Sequence, residues 1–259
     1  MNDQFLKVAK DAALAAGKII AKYSGEDLQK NIKHGDGSDF ATEADLKAEK
    51  TIVSMISKVF PEHNIIAEED EKVDRGSEYT WVIDPLDGTF SFSVGMPYYA
   101  VSIGLLKEGK PVLGVIYHVQ AKDLYYATEG EGAFLNGKRI IVSKRDKLEE
   151  SAVTLDVGHR GKRQHKLDLY VNNFMTKIGM SYSVGSAVVT LAYIAQGIFD
   201  AVINEAYLWD FAAGTVIIRE AGGKVTDFEG NEPDWSKQRL RIVASNGLLH
   251  DQILEALKK

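Results

Sequence analysis

Residues 81–92 read WVIDPLDGTFSF: four residues with the apolar, β-rich character of a buried strand, then Asp84 and Asp87 set three apart around Pro85 and Leu86. Nothing else in the chain restricts its folding as strongly. Carboxylates at the exit of a buried strand lose water, and like charges brought together at low dielectric repel one another. The pattern recurs: Glu68 follows the short β-run NIIA, and Asp210 follows Trp209 in LWDFAAG. One Asp at a strand end is an ordinary turn residue, but four acids at the ends of apolar runs call for a shared counter-charge. A hard divalent cation supplies it, because Mg²⁺ takes oxygen ligands in octahedral geometry and keeps waters and phosphate oxygens in its shell. The Leu86 carbonyl, in the turn that Pro85 stiffens, is a further candidate oxygen.

The rest of the chain reads as a globular α/β protein of 259 residues, 45% hydrophobic and 26% charged, long enough for one large unit or two domains. A net charge of −6 leaves no cationic excess for a nucleic-acid backbone. The absence of Cys excludes disulfides and thiolate metal sites. No stretch reads as a signal peptide or a bilayer span, so the expected partner is a small molecule, with no nucleic acid and no membrane, and the expected compartment is the cytoplasm. Apolar residues from Phe5 to Tyr23 recur at helical spacing, Thr42 reads as the N-cap of a second helix with Asp45 three residues on, and Asn136-Gly137 is a hairpin signal. The stretch between the helices, NIKHGDGSDF, reads as a mobile loop. Residues 1–150 therefore read as two helices and a mainly antiparallel sheet carrying the acidic motifs. Residues 151–259 read as an α/β half, with a helix around 165–178 and a helix capped by Asp210, packed tightly on the first. The basic run HRGKRQHK, 159–166, reads as a solvated face or a helix start, and Trp81 and Trp209 as packing anchors.

Gly88 and Thr89 complete the candidate site. A turn or helix opening at residue 88 aims free amides out of the loop that holds the acids, where they bind phosphate. Acids that hold metal beside an amide cradle make a phosphoryl-transfer site. The spacing D-x-x-D-G-T differs from the D-x-D-G-T of phosphatases with a nucleophilic aspartate. The expected chemistry is therefore attack by a metal-activated water.

WVIDPLDGT, with AEED before it and LWDFAAGTVIIREAGG after it, resembles the inositol monophosphatase family, which includes fructose-1,6-bisphosphatases and 3'-phosphoadenosine 5'-phosphate phosphatases. SDFATEAD resembles the family's D-x-x-T-x-x-D segment, and GSAVVTLAYIAQGIFDA its substrate-side helix. The resemblance implies a layered αβαβα sandwich, a homodimer, and two to three Mg²⁺ per subunit with Mn²⁺ as a substitute. Glu68, Asp84, Leu86, Asp87 and Asp210 would be the metal ligands, with Lys33 and Asp39 at a lid and third metal. Glu68, Thr89 and Asp45 would form the catalytic set, Thr89 passing a proton toward Asp45. Asp87, Gly88, Thr89, Ser183, Gly185, Ser186, Asn204 and Glu205 would contact substrate. Many members carry a basic residue where Tyr182 stands here, which argues against a second-phosphate contact at that position. The implied activity is hydrolysis of inositol 1-phosphate or fructose 1,6-bisphosphate. The alternatives are a 3'-phosphoadenosine 5'-phosphate or NADP phosphatase and, from another class, a non-catalytic metal- or phosphate-binding regulator.

Overall fold

The computed structural model describes residues 3–26, 30–33, 40–69, 72–158 and 160–258. Helix α1 (Asp3–Lys22) buries an Ala-rich stripe, Ala9, Ala12, Ala13 and Ala16. Two short strands, β1 (Asn31–Ile32) and β2 (Phe40–Ala41), pair antiparallel ahead of α2 (Glu43–Val59). Helix α2 starts with a full capping box: the Thr42 N–H donates to Asp45 Oδ2 at 2.8 Å, while Thr42 Oγ1 accepts from Ala44.

Eight strands form the first large sheet: β3 (Asn64–Ala67), β4 (Lys72–Val73), β5 (Tyr79–Asp87), β6 (Ala100–Lys107), β7 (Lys110–His118), β8 (Asp123–Thr128), β9 (Gly132–Leu135) and β10 (Lys138–Arg139), in the order β10-β9-β8-β7-β6-β5-β3-β4. Only the β3–β5 pairing is parallel. The β9–β10 turn uses Asn136 at φ 49° and Gly137 at φ 84°, the left-handed pair that a two-residue hairpin requires. Helix α3 (Thr89–Ser93) follows β5 directly.

The second sheet is built from β11 (Ala152–Leu155), β12 (Met180–Tyr182), β13 (Ala201–Tyr207), β14 (Lys224–Thr226) and β15 (Arg239–Ser245), in the order β12-β11-β13-β15-β14. Between β11 and β12 the helix expected over 165–178 is a composite: α4 (Arg163–Lys166), a π-turn over Leu167–Val171, then α5 (Asn172–Phe174). Helices α6 (Ala187–Ala195), α7 (Leu208–Glu220) and α8 (His250–Leu257) complete the chain.

Strand alternation sorts the side chains into layers. Trp81 and Ile83 of β5 face α1 and α2, while Val82 faces the core of α6 and α7. On β13, Val202 joins that same central core, and Ala201 and Ile203 pack toward α5 and α8. The order of layers is α1/α2, eight-stranded sheet, α6/α7, five-stranded sheet, α5/α8, the αβαβα sandwich. Helix α7 lies close on the first sheet because Gly104 and Gly114 pair under it. A Cβ on Gly114 would stand 2.1 Å from the Ala213 carbonyl oxygen. No helix of the described residues is long and apolar enough to cross a membrane.

Candidate active site

Residues three apart on a regular strand point to opposite faces, yet Asp84 and Asp87 share one. The reason lies in the β5–β6 register: Asp84 pairs Ser102 and Asp87 pairs Ala100, so β5 advances three residues while β6 advances two. That one-residue bulge, at Pro85 with its missing N–H, turns both carboxylates to the same side. Opposite Asp84, the Ser102 hydroxyl donates to the Trp209 carbonyl at 3.2 Å, which fixes the first turn of α7 over the bulge. Asp210 is the third residue of that helix, not its cap. Strand β13 runs into α7 without a loop, so Tyr207 takes the cap position, and its N–H donates back to Asp210 Oδ2 at 2.7 Å.

Oxygens of Asp84, Asp87 and Asp210 thus lie within 4.8 Å of one another. Asp84 is 1% exposed, and its Oδ2 is buried without a hydrogen-bond partner, whereas Oδ1 accepts from the Leu86 N–H at 3.0 Å. Burial, then the charges of Glu68, Asp87 and Asp210, push the Asp84 carboxyl well above the usual range. Asp210 is raised well above it by burial and the charges of Asp87 and Glu68. Asp87 is lifted by burial only to about 6, because the Ser186 hydroxyl and the Val188 N–H at the start of α6 donate to its Oδ2. Ser186 also caps α6 through Val189, so it serves Asp87 and the helix together.

Glu68 and Glu69 are held by one cation. Lys33 Nζ lies 2.8 Å from Glu68 Oε1 and 2.7 Å from Glu69 Oε1. Burial opposes the ammonium, but the two glutamates more than offset this and hold its pKa above the ordinary lysine value. Burial, with the charge of Glu68 adding to it, lifts Glu69 to about 8. Asp39 and His34, expected at the lid, lie outside the described residues.

Thr89 Oγ1 sits between two acceptors, Asp45 Oδ1 at 3.0 Å and the Leu86 carbonyl at 2.9 Å. The capping box that starts α2 occupies Asp45 Oδ2 and leaves Oδ1 for Thr89. Burial raises Asp45 to about 6 against its hydrogen bonds from Thr42. Gly88, at φ 85°, is required on two counts: its conformation is left-handed, and a Cβ would stand 2.5 Å from the Tyr98 carbonyl.

A single cavity of about 440 Å³ joins these groups to the second sheet and to the 154–166 segment. Gly88, Thr89, Ser183, Gly185, Ser186, Asn204 and Glu205 all line it. Gly185 accepts from Ser91 Oγ at 3.4 Å. Asn204 Oδ1 is taken by Lys166 Nζ at 2.9 Å, and Glu205 is paired with Arg239 at 3.4 Å and Arg241 at 2.9 Å. The basic run does not read out as a solvated face throughout. Lys166 is 4% exposed, ion-paired to Asp156, and lines the cavity with Lys162 and Arg163. A signal was available: Lys166, Tyr170 and Phe174 are spaced by four, and all three are buried.

The family model of the inositol monophosphatase family matches residues 1–259. A protein of Aquifex aeolicus named fructose-1,6-bisphosphatase/inositol-1-monophosphatase is 38% identical over 260 residues, covering 99% of this chain and 96% of that one. An inositol-1-monophosphatase of Mesorhizobium japonicum is 37% identical, covering 98% and 96%. Among solved structures, the extragenic suppressor protein SuhB of Bartonella henselae superposes with a TM-score of 0.91 at 36% identity, covering 99% of each chain. An inositol monophosphatase of Thermotoga maritima gives 0.87 at 31% identity, covering 99% and 97%.

Proposed function

The chain belongs to the inositol monophosphatase family and is a phosphoric monoester hydrolase; from that premise we propose that it is a Mg²⁺-dependent phosphatase of small sugar or polyol phosphates, inositol 1-phosphate and fructose 1,6-bisphosphate among them. The observation that carries the metal is the meeting of Asp84, Asp87 and Asp210 around a buried, unpartnered Asp84 Oδ2. An all-oxygen donor set of this charge fits a hard cation and fits no soft one. Asp84, Asp87 and Asp210 would hold it, joined by the Leu86 carbonyl and by Glu68 once Lys33 releases it. Magnesium, when bound, would neutralise the crowded carboxylates, polarise the phosphoryl oxygens and acidify a water.

The remaining work belongs to the chain's own groups. Thr89 Oγ1 would accept a proton from the attacking water while its own hydroxyl proton moves to Asp45 Oδ1. A carboxyl raised to about 6 is suited to that exchange near neutral pH. Gly88, without a side chain, leaves the phosphate room to approach the loop backbone. The names borne by the Aquifex and Mesorhizobium relatives support sugar and polyol phosphates as the substrate class.

The test is phosphate release from inositol 1-phosphate, fructose 1,6-bisphosphate, 3'-phosphoadenosine 5'-phosphate and NADP, with Mg²⁺ and with EDTA. We expect Mg²⁺-dependent release from the first two. Asp84→Asn should lower kcat by about 10²-fold or more while the metal-free protein melts no lower than wild type. Release that persists in EDTA, or an Asp84→Asn protein that keeps its turnover, would sink the metal reading.

A further inference from the structure

Across the cavity from the acids stands a wall of opposite character. Lys162, Arg163, Lys166 and Arg239 line it, and its carboxylates are Asp156 and Glu205, so four cations against two anions leave two positive charges in surplus. The acceptors on this wall are already engaged. Lys166 Nζ holds Asp156 Oδ2 and Asn204 Oδ1, while the Gly158 N–H occupies Asp156 Oδ1 at 2.9 Å. Arg239, Arg241 and His165 surround the two oxygens of Glu205. What remains for a ligand is donors: the Asn204 amide NH₂, whose orientation Lys166 fixes, and the cationic heads. Among the described residues neither Lys162 nor Arg163 has an ion-pair partner. Lys162 and Arg239 instead lie 5.6 and 4.8 Å from the ring centroid of Tyr207, which itself stacks on Trp209, so the ring orders these charges without neutralising them.

A polyol brings hydroxyl hydrogens that need acceptors, whereas a phosphate brings only acceptors and negative charge. We propose that this wall seats a second phosphate, and that the preferred substrate is a bisphosphate lying with one phosphate at the acid cluster and the other against Lys162, Arg163 and Arg239. The inference rests on the phosphatase reading and narrows it. It also relocates the second contact: the basic residue that Tyr182 lacks is supplied from the 162–163 segment and β15.

The experiment compares matched pairs, fructose 1,6-bisphosphate with fructose 1-phosphate and adenosine 3',5'-bisphosphate with adenosine 3'-phosphate, in wild type, Lys162→Met, Arg163→Ala and Arg163→Lys. The bisphosphate should win in kcat/KM by about tenfold, the range of one charge-assisted contact, in at least one pair, and that pair tells sugar from nucleotide. Lys162→Met and Arg163→Ala should each shrink that ratio severalfold through KM, and Arg163→Lys should keep most of it. A monophosphate preference in both pairs, or equal losses on both members of a pair, overturns the inference. Should no ester be hydrolysed, the phosphatase reading fails separately. Calorimetric titration of the metal-free protein with the same pairs then decides: tighter bisphosphate binding that Arg163→Ala removes supports the second seat, and equal binding overturns it.

Discussion

Asp45 shows how much one side chain can be asked to do. One oxygen closes the capping box of α2 and the other takes the Thr89 hydroxyl, so the group that starts a helix also faces the reaction. Thr89→Ala should lower kcat by about 10²- to 10⁴-fold, the usual range for a lost proton-transfer partner. Thr89→Ser, which keeps the hydroxyl, should recover most of it. Asp45→Asn retains an oxygen for the Thr42 N–H, so α2 should lose no more than about 1 kcal/mol while kcat falls as in Thr89→Ala. Melting curves and initial rates on the same preparations separate the two effects. The pairing of Thr42 with Asp45 was legible because a capping box has a sequence spacing. Lys166 was not read, because a cation inside a basic run resembles its solvated neighbours, and only its phase with Tyr170 and Phe174 marks it as buried. The partners that engage Asn204 and Glu205 come from residues far off in sequence, and no local pattern announces them.

At the scale of elements, the acid cluster is a product of how α7 meets the first sheet. The hairpin at Asn136-Gly137 and the ends of β5 and α7 follow from turn chemistry and periodicity. The β5 bulge does not, since a register shift depends on the partner strand as much as on Pro85. Gly104 and Gly114 did carry a signal: glycine inside a strand marks a place where another backbone comes close. They let α7 descend until Ala212 and Ala213 touch the sheet, and that descent brings Asp210 to Asp84. Gly114→Ala, with a Cβ aimed at the Ala213 carbonyl, should therefore destabilise by about 3 kcal/mol and raise the Mg²⁺ concentration needed to stabilise the protein. Gly109→Ala is the control. Gly109 has φ 76° and open space around it, so it should cost only the left-handed penalty of about 1–2 kcal/mol and leave the Mg²⁺ requirement unchanged. Equal Mg²⁺ responses in the two variants would separate Asp210 from the metal.

Over the whole molecule, the two sheets and the helices between them hold carboxylates whose folded pKa values lie above their unfolded ones. Glu69 rises from 4.5 to about 8, Asp45 and Asp87 from 3.8 to about 6, and Asp84 and Asp210 well above 3.8. Between those limits the folded state binds more protons than the unfolded chain, so stability falls as pH rises. His250 works in the opposite sense. Burial, with Lys224 nearby, lowers it from 6.5 to about 4, so the stability tied to its neutral form is fully present once pH exceeds 6.5. The window from pH 6.5 to about 8 therefore belongs to the carboxylates, with Glu69, Asp84 and Asp210 its main contributors. In EDTA the melting temperature should decline steadily across that window. Mg²⁺ binds the ionised cluster, so its stabilising effect should grow with pH, and binding near the lower end should release protons. Scanning calorimetry at fixed Mg²⁺, with titrations in buffers of different ionisation enthalpy, reads both quantities. A flat metal-free profile, or Mg²⁺ binding without proton release, would mean that the carboxylates are satisfied within the protein and that no cation is needed to hold them together.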